Sequence, residues 1–170
     1  MNQLQSQILI VDDVMSNIQV IGNMLRKQQL KTYAALNGAQ ALKIASDTPL
    51  DLILLDISMP DMDGYEVCKK LKESKATADI PVIFLTARTQ TEDLVKGFEV
   101  GAVDYITKPF SSVELIKRVF NHLQLKEARQ TIEQQKHKLE EQNRQLRENN
   151  ASKDRFFFIL VHDLKNPFST

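Results

Sequence analysis

Apolar positions along residues 7–110 follow two patterns that take turns. Short continuous apolar runs alternate with longer stretches whose apolar residues recur every three or four positions. "QILIV", "LDLILLD" and "IPVIFLTA" are the unbroken kind, expected of strands buried on both faces. "KTYAAL" and "VDYIT" read as two further strands. "VMSNIQVIGNMLRKQQ" has helical spacing at Val14, Ile18, Ile21 and Leu25. "NGAQALKIASD", "YEVCKKLKES" and "TEDLVKGFEVG" read as three more helices, the last closed by Gly101 as a C-cap. "SMPDMDG" is a loop of turn residues. Strands separated by helices predict an α/β fold, because right-handed crossovers force a parallel sheet covered by helices on both faces.

From Ser111 onward the pattern changes. Gly disappears, Pro is absent until Pro167, and Gln, Glu, Lys and Arg dominate. Ser111 or Ser112 can cap the start of a helix, with Glu114 in its first turn. Leu125, Ile132, Leu139 and Leu146 recur every seven residues, whereas Ala128, Gln135, Gln142 and Asn149 fill the positions three further on. This is a heptad with apolar a positions and weak d positions. An isolated polar helix of this length is marginal in water, which favours a coiled coil over a solvated single helix.

Composition narrows the classes. Lys plus Arg and Asp plus Glu are 22 each, so the chain has no bulk attraction to nucleic acid or to an acidic membrane. Cys68 is the single cysteine, which excludes a disulfide framework. No apolar run approaches the roughly 20 residues of a membrane span, and "MNQLQSQ" is not a secretory signal. A cytoplasmic protein that binds no nucleic acid is expected.

The candidate chemistry lies at the carboxyl ends of the strands, where ligands bind in such sheets. The first strand ends at Asp12 and Asp13, the third at Asp56, the fourth at Thr86, and the fifth runs into Lys108 and Pro109. Neighbouring strands are about 4.8 Å apart, so these groups converge. Taken singly, Asp13 fits a helix cap and Asp56 a turn. Taken together, three carboxylates call for a hard cation such as Mg2+, and a lysine and a hydroxyl beside them suit a phosphoryl group.

"ILIVDDVMSN", "DLILLDISMPDMDGYEVCKKLK", "IPVIFLTA" and "GAVDYITKPF" resemble the receiver domain of two-component response regulators. The resemblance implies a flavodoxin-like, doubly wound, five-stranded parallel sheet in the order 2-1-3-4-5, over residues 1–123. It implies that Asp56 is the phosphoacceptor and that Asp12, Asp13, Asp56 and the backbone carbonyl of Ser58 hold Mg2+. It further implies that Lys108 pairs with the acyl phosphate, that Lys108–Pro109 is cis, and that Thr86 and Tyr105 form a switch. Ser58 and Arg88 are expected to influence the phosphoryl lifetime. The phosphodonor would be a histidine kinase or a phosphotransfer protein.

"KDRFFFILVHDLKNPF" resembles the phosphoacceptor motif of sensor histidine kinases. That likeness implies His162 as phosphoacceptor, Asp163 as its acid/base helper and Asn166 as a residue positioning attacking groups. Only eight residues follow His162 and no Gly-rich nucleotide loop occurs. The expectation is a truncated hybrid histidine kinase: a receiver, a homodimeric coiled-coil signalling helix over residues 124–151, and the start of the phosphoacceptor helix over residues 152–170. The rivals are a stand-alone response regulator acting through its C-terminal helix, a Mg2+-dependent phosphatase with an Asp nucleophile, and a coiled-coil adaptor. The phosphatase reading lacks the second Asp two residues beyond Asp56, where Ser58 stands.

Overall fold

The computed structural model describes residues 5–87 and 91–165. Five strands, β1 (Gln7–Val11), β2 (Lys31–Ala35), β3 (Leu52–Asp56), β4 (Val82–Thr86) and β5 (Asp104–Thr107), form one sheet in the order β2-β1-β3-β4-β5, every pairing parallel. The helices are α1 (Met15–Arg26), α2 (Gly38–Asp47), α3 (Gly64–Glu73), α4 (Thr91–Glu99) and α5 (Ser112–Lys165). This is the flavodoxin-like order expected from the sequence.

Strand side chains alternate between faces, and the two faces bury separate cores. Ile8, Ile10, Leu52, Leu54, Ile83 and Leu85 pack with Ile18, Ile21 and Leu25 of α1 and with Leu115 and Val119 of α5. Leu9, Val11, Ile53, Leu55, Val82 and Phe84 pack with Ala41 and Ala45 of α2 and with Val67, Cys68 and Leu71 of α3. The central strands therefore carry unbroken apolar runs, because each residue has a core to enter whichever way it points.

The chain closes most of its helices with local side chains. Asn37 accepts from the Gln40 amide at 2.8 Å and Asp63 from the Glu66 amide at 2.9 Å, each an N-cap. Gly101 takes φ +96° just beyond α4, and its amide reaches the Phe98 carbonyl at 3.0 Å, as expected of a C-cap glycine. At α1 the cap position is held by Val14 rather than Asp13. Val14 makes no side-chain cap bond, and Asp12 accepts from the Val14 amide itself at 2.9 Å.

The chain forms two compact units, Met1–Lys126 and Glu127–Thr170. Within the first, Ser111 Oγ caps α5 by accepting from the Glu114 amide at 3.1 Å. Lys126 Nζ donates to the Leu50 carbonyl at 3.0 Å and to Asp51 at 2.9 Å, fastening that stretch of α5 to the loop before β3. The second unit is helix as far as Lys165. Its ion pairs, Arg129–Glu133, Lys136–Glu140 and Arg144–Glu141, are all exposed one-turn pairs worth a few tenths of a kcal/mol each at roughly helical spacing. Ile132, Leu139 and Leu146 are exposed, as are the consecutive residues Phe156, Phe157 and Phe158. Among the described residues no helix is long and apolar enough to cross a membrane.

Candidate active site

The register of the sheet determines which side chains meet. Val11 pairs with Leu55 and Asp56 with Leu85, so the residues just past β1 and at the ends of β3 and β4 arrive at one edge. Asp12, Asp13 and Asp56 each bring one carboxylate oxygen to within 4.8 Å of the others. Asp12 is fully buried, Asp56 nearly so, and Asp13 faces solvent. Lys108 enters from just past the end of β5. Its Nζ donates to Asp56 Oδ1 at 2.7 Å and to Asp12 Oδ2 at 2.9 Å, bridging the two buried acids. The peptide between Lys108 and Pro109 is cis, as the resemblance implied.

Electrostatics follow from the crowding. Burial pushes the Asp56 carboxyl above the ordinary range. The Lys108 hydrogen bond and charge pull the other way, while the neighbouring charges of Asp12 and Asp13 push it further up. For Lys108 burial disfavours the charge, but the hydrogen bonds and charges of Asp56 and Asp12 outweigh it and hold the ammonium more firmly charged than usual. Among the described residues one lysine faces several carboxylates, which holds Lys108 charged while the crowding of the acids adds to the effect of burial on Asp56. A set of carboxylate oxygens with negative charge in excess fits a hard divalent cation.

Thr86 ends β4 almost completely buried, and its carbonyl accepts from the Lys108 amide at 2.7 Å. Tyr105 in β5 is half-buried and its ring meets Phe98 of α4 edge to face, centroids 6.1 Å apart. Ser58 is exposed in the loop after β3. His162 is exposed on α5 within the second unit. Arg88, Asn166 and Pro167 lie outside the described residues, as does the side chain of Asp163.

Two residues at the site have no counterpart among those singled out from the sequence. Asn17, in the first turn of α1, donates its amide to both oxygens of Asp12, at 3.0 Å each. Gly64 opens α3 so close to the end of β3 that a Cβ there would collide with the Asp56 carbonyl oxygen and lie 2.8 Å from the Ile57 Cα. Its amide bonds the Ile57 carbonyl at 3.0 Å. For Gly64, "PDMDGYE" signals a glycine that follows an N-cap aspartate but not its close approach to β3. Asn17 has only its distance of five positions from Asp12.

The family model for the response regulator receiver domain matches residues 8–120. The chain belongs to the response regulator receiver family. Among curated relatives it is similar to a probable cyclic di-GMP phosphodiesterase of Vibrio cholerae serotype O1, at 46% identity over 136 residues, 80% of this chain and 31% of that one. It is also similar to the response regulator PleD of Caulobacter vibrioides, at 40% identity over 116 residues, 68% of this chain and 26% of that one. The chain thus spans about a quarter to a third of the length of these relatives. Among solved structures, it resembles the receiver domain of the sensor histidine kinase PA1611 from Pseudomonas aeruginosa PAO1. That match has TM-score 0.66 and 30% identity, covering 70% of this chain and 98% of that one, and the PA1611 structure has a magnesium ion coordinated in its active-site cleft. Receiver function in two-component signalling accounts for the convergence of acids and lysine at one sheet edge.

Proposed function

We propose that Asp56 accepts a phosphoryl group from a phosphohistidine on a histidine kinase or phosphotransfer protein, and that the receiver thereby controls an output through α5. The observation that carries this reading is Lys108 Nζ bridging Asp12 and Asp56 at 2.9 and 2.7 Å inside the acid cluster. An Asp56 oxygen attacks phosphorus, and the bond to the donor nitrogen breaks with its electron pair leaving on the imidazole. Lys108 then transfers a hydrogen bond to a phosphoryl oxygen. Thr86 donates its hydroxyl to another, and Tyr105 turns inward beside it to change the α4–β5–α5 surface. Asp12, Asp13, Asp56 and the Ser58 carbonyl are the groups that would hold Mg2+. When bound, the ion offsets the charge of the acids and the phosphoryl oxygens.

For the output, the run around His162 supports the start of a histidine-kinase phosphoacceptor helix, with Asp163 and Asn166 assisting, joined to the receiver by a homodimeric coiled coil over residues 124–151. The chain's place would then be the cytoplasm. A second reading has its own support. The likeness to the probable cyclic di-GMP phosphodiesterase runs over 136 residues, more than the family match at 8–120 spans, so the likeness takes in part of the helix. On that reading the receiver and helix serve a response regulator whose output is not a kinase.

Incubation with Mg2+ and acetyl phosphate should add one hydroxylamine-sensitive phosphoryl group by intact mass, absent from Asp56→Asn. Equal labelling of the variant refutes the assignment. Labelling of His162 from ATP, when a histidine-kinase ATP-binding domain and the second helix of the dimerisation bundle are both supplied, distinguishes the two outputs, with His162→Gln as the control.

A further inference from the structure

We propose that Asn17 is a positioning residue for phosphoryl acceptance: it holds Asp12 in place for the cation while Lys108 moves to the phosphoryl group. The inference rests on the receiver reading of the site given above.

Asp12 is completely buried, and a carboxylate has about four acceptor positions to satisfy. Here they meet the Val14 amide at 2.9 Å, Lys108 Nζ at 2.9 Å and the Asn17 amide at 3.0 Å on each oxygen. Lys108 is shared with Asp56. When it turns to a phosphoryl oxygen, Asp12 loses the one charged partner it has among the described residues. A buried carboxylate left short of donors would either draw the lysine back or rotate toward another partner. Asn17 prevents both, because one amide spans the two oxygens and fixes the plane of the carboxylate. The Val14 amide alone restrains only Oδ1.

The residue type matters as much as the place. An arginine or lysine at position 17 would also satisfy Asp12, but its charge would neutralise the carboxylate and repel a divalent cation. A carboxamide donates without adding charge, so Asp12 keeps its full negative charge for the ion. Asn17 sits in the first turn of α1, whose Ile18 and Ile21 are buried against the sheet. Its position is therefore set by the core and does not depend on the phosphorylation state.

Two donorless replacements separate positioning from space filling: Asn17→Ala removes volume and donor, and Asn17→Leu keeps the volume. Mg2+ affinity of the unphosphorylated chain is measured by calorimetric titration, metal-free melting by circular dichroism, and the rate of acetyl phosphate labelling by intact mass. Both variants should bind Mg2+ about five- to tenfold more weakly and be labelled correspondingly more slowly, the size of one lost charge-assisted hydrogen bond. Their metal-free melting temperatures should stay close to wild type. Unchanged affinity in either folded variant overturns the proposal. So does failure of both to fold without metal, which would make Asn17 a residue of the fold alone. If wild type itself neither binds Mg2+ nor labels at Asp56, it is the receiver reading of the site that has failed.

Discussion

Arg118 of α5 places one Nη on both carboxylate oxygens of Asp104, at 2.9 and 3.0 Å, locking the first residue of β5 to the helix that follows it. His122 Nε2 lies 3.0 Å from the same carboxylate, and the Tyr105 amide donates to it at 2.8 Å. Burial pushes the Asp104 carboxyl up, but the bonds from His122, Tyr105 and Arg118 and the Arg118 charge outweigh it, and its pKa falls below the ordinary value. A carboxyl whose folded pKa is depressed stabilises the fold above its unfolded pKa, near 3.9, and loses that stabilisation as pH falls through the folded value. Asp104→Asn should therefore lower stability at pH 7 by about 1 kcal/mol, since the pair is partly solvated. The gap from wild type should close as pH falls from about 4 toward the depressed folded value. Urea unfolding between about pH 5 and pH 2 checks it; a gap that persists unchanged at about pH 2 would contradict the assignment.

Gly64 predicts a second effect, on the acceptor strand itself. A Cβ there would strike the Asp56 backbone, which has no room to move without shifting the site. Gly64→Ala should destabilise the receiver by about 1–3 kcal/mol, the usual range for overpacking, and slow labelling of Asp56. Gly22→Ala is the control. Its Cβ would meet only the end of the Arg26 side chain, at 3.1 Å, and alanine is the better helix former. Equal behaviour of the two variants in thermal melts would remove the close-approach argument.

The contrast between Gly64 and Asn17 on one side and Asp56 and Lys108 on the other shows what a single sequence carries. Strand ends are legible because apolar runs are legible, and the charged residues that terminate them are therefore placed with them. The parallel sheet follows from alternation and crossover handedness, whereas the strand order comes only with the receiver resemblance. Close approach is different: "PDMDG" reads as a turn whether or not its glycine touches the preceding strand. Asn17 looks like any polar residue in a first helical turn, and only the folded loop carries it back onto Asp12. The start of α1 at Val14 is equally hidden, since valine offers no side-chain cap and the Asp12 carboxylate that holds its amide is also expected at the metal.

Cys68 is fully buried on α3, and burial pushes its thiol up to about 11, offset only in part by the charge of Lys72. At pH 8 about a thousandth of it is thiolate, against roughly a quarter of a free cysteine. Alkylation by iodoacetamide in the native chain should be at least about a hundredfold slower than that of a small thiol, and should become rapid in urea. Rapid native labelling would show that α3 opens readily from the core.

The burial of Cys68 makes it possible to test the pairing of α5 without removing it. Ile132, Leu139 and Leu146 are exposed at seven-residue spacing, with Gln135, Gln142 and Asn149 between them. Burying one apolar layer per heptad favours association, and the polar layers weaken it while fixing register. A seam held this weakly suits a relay, because a small difference in affinity between two registers shifts their populations. A kinase output needs two copies of His162 at the same level, which requires parallel pairing. Ile132→Cys and Leu139→Cys, made singly, should each give a same-position disulfide dimer under mild oxidation, and the yields should change when Asp56 carries a phosphoryl group. In a mixture of the two variants, cross-links between positions 132 and 139 should be scarce, because a parallel in-register pair holds them a full heptad apart, about 10 Å along the axis. Sedimentation as a monomer at tens of micromolar, or cross-links only between unlike positions, would rule out the parallel dimer. Dimer yields indifferent to phosphorylation, with the dimer intact, would rule out the relay and leave α5 as a fixed connector.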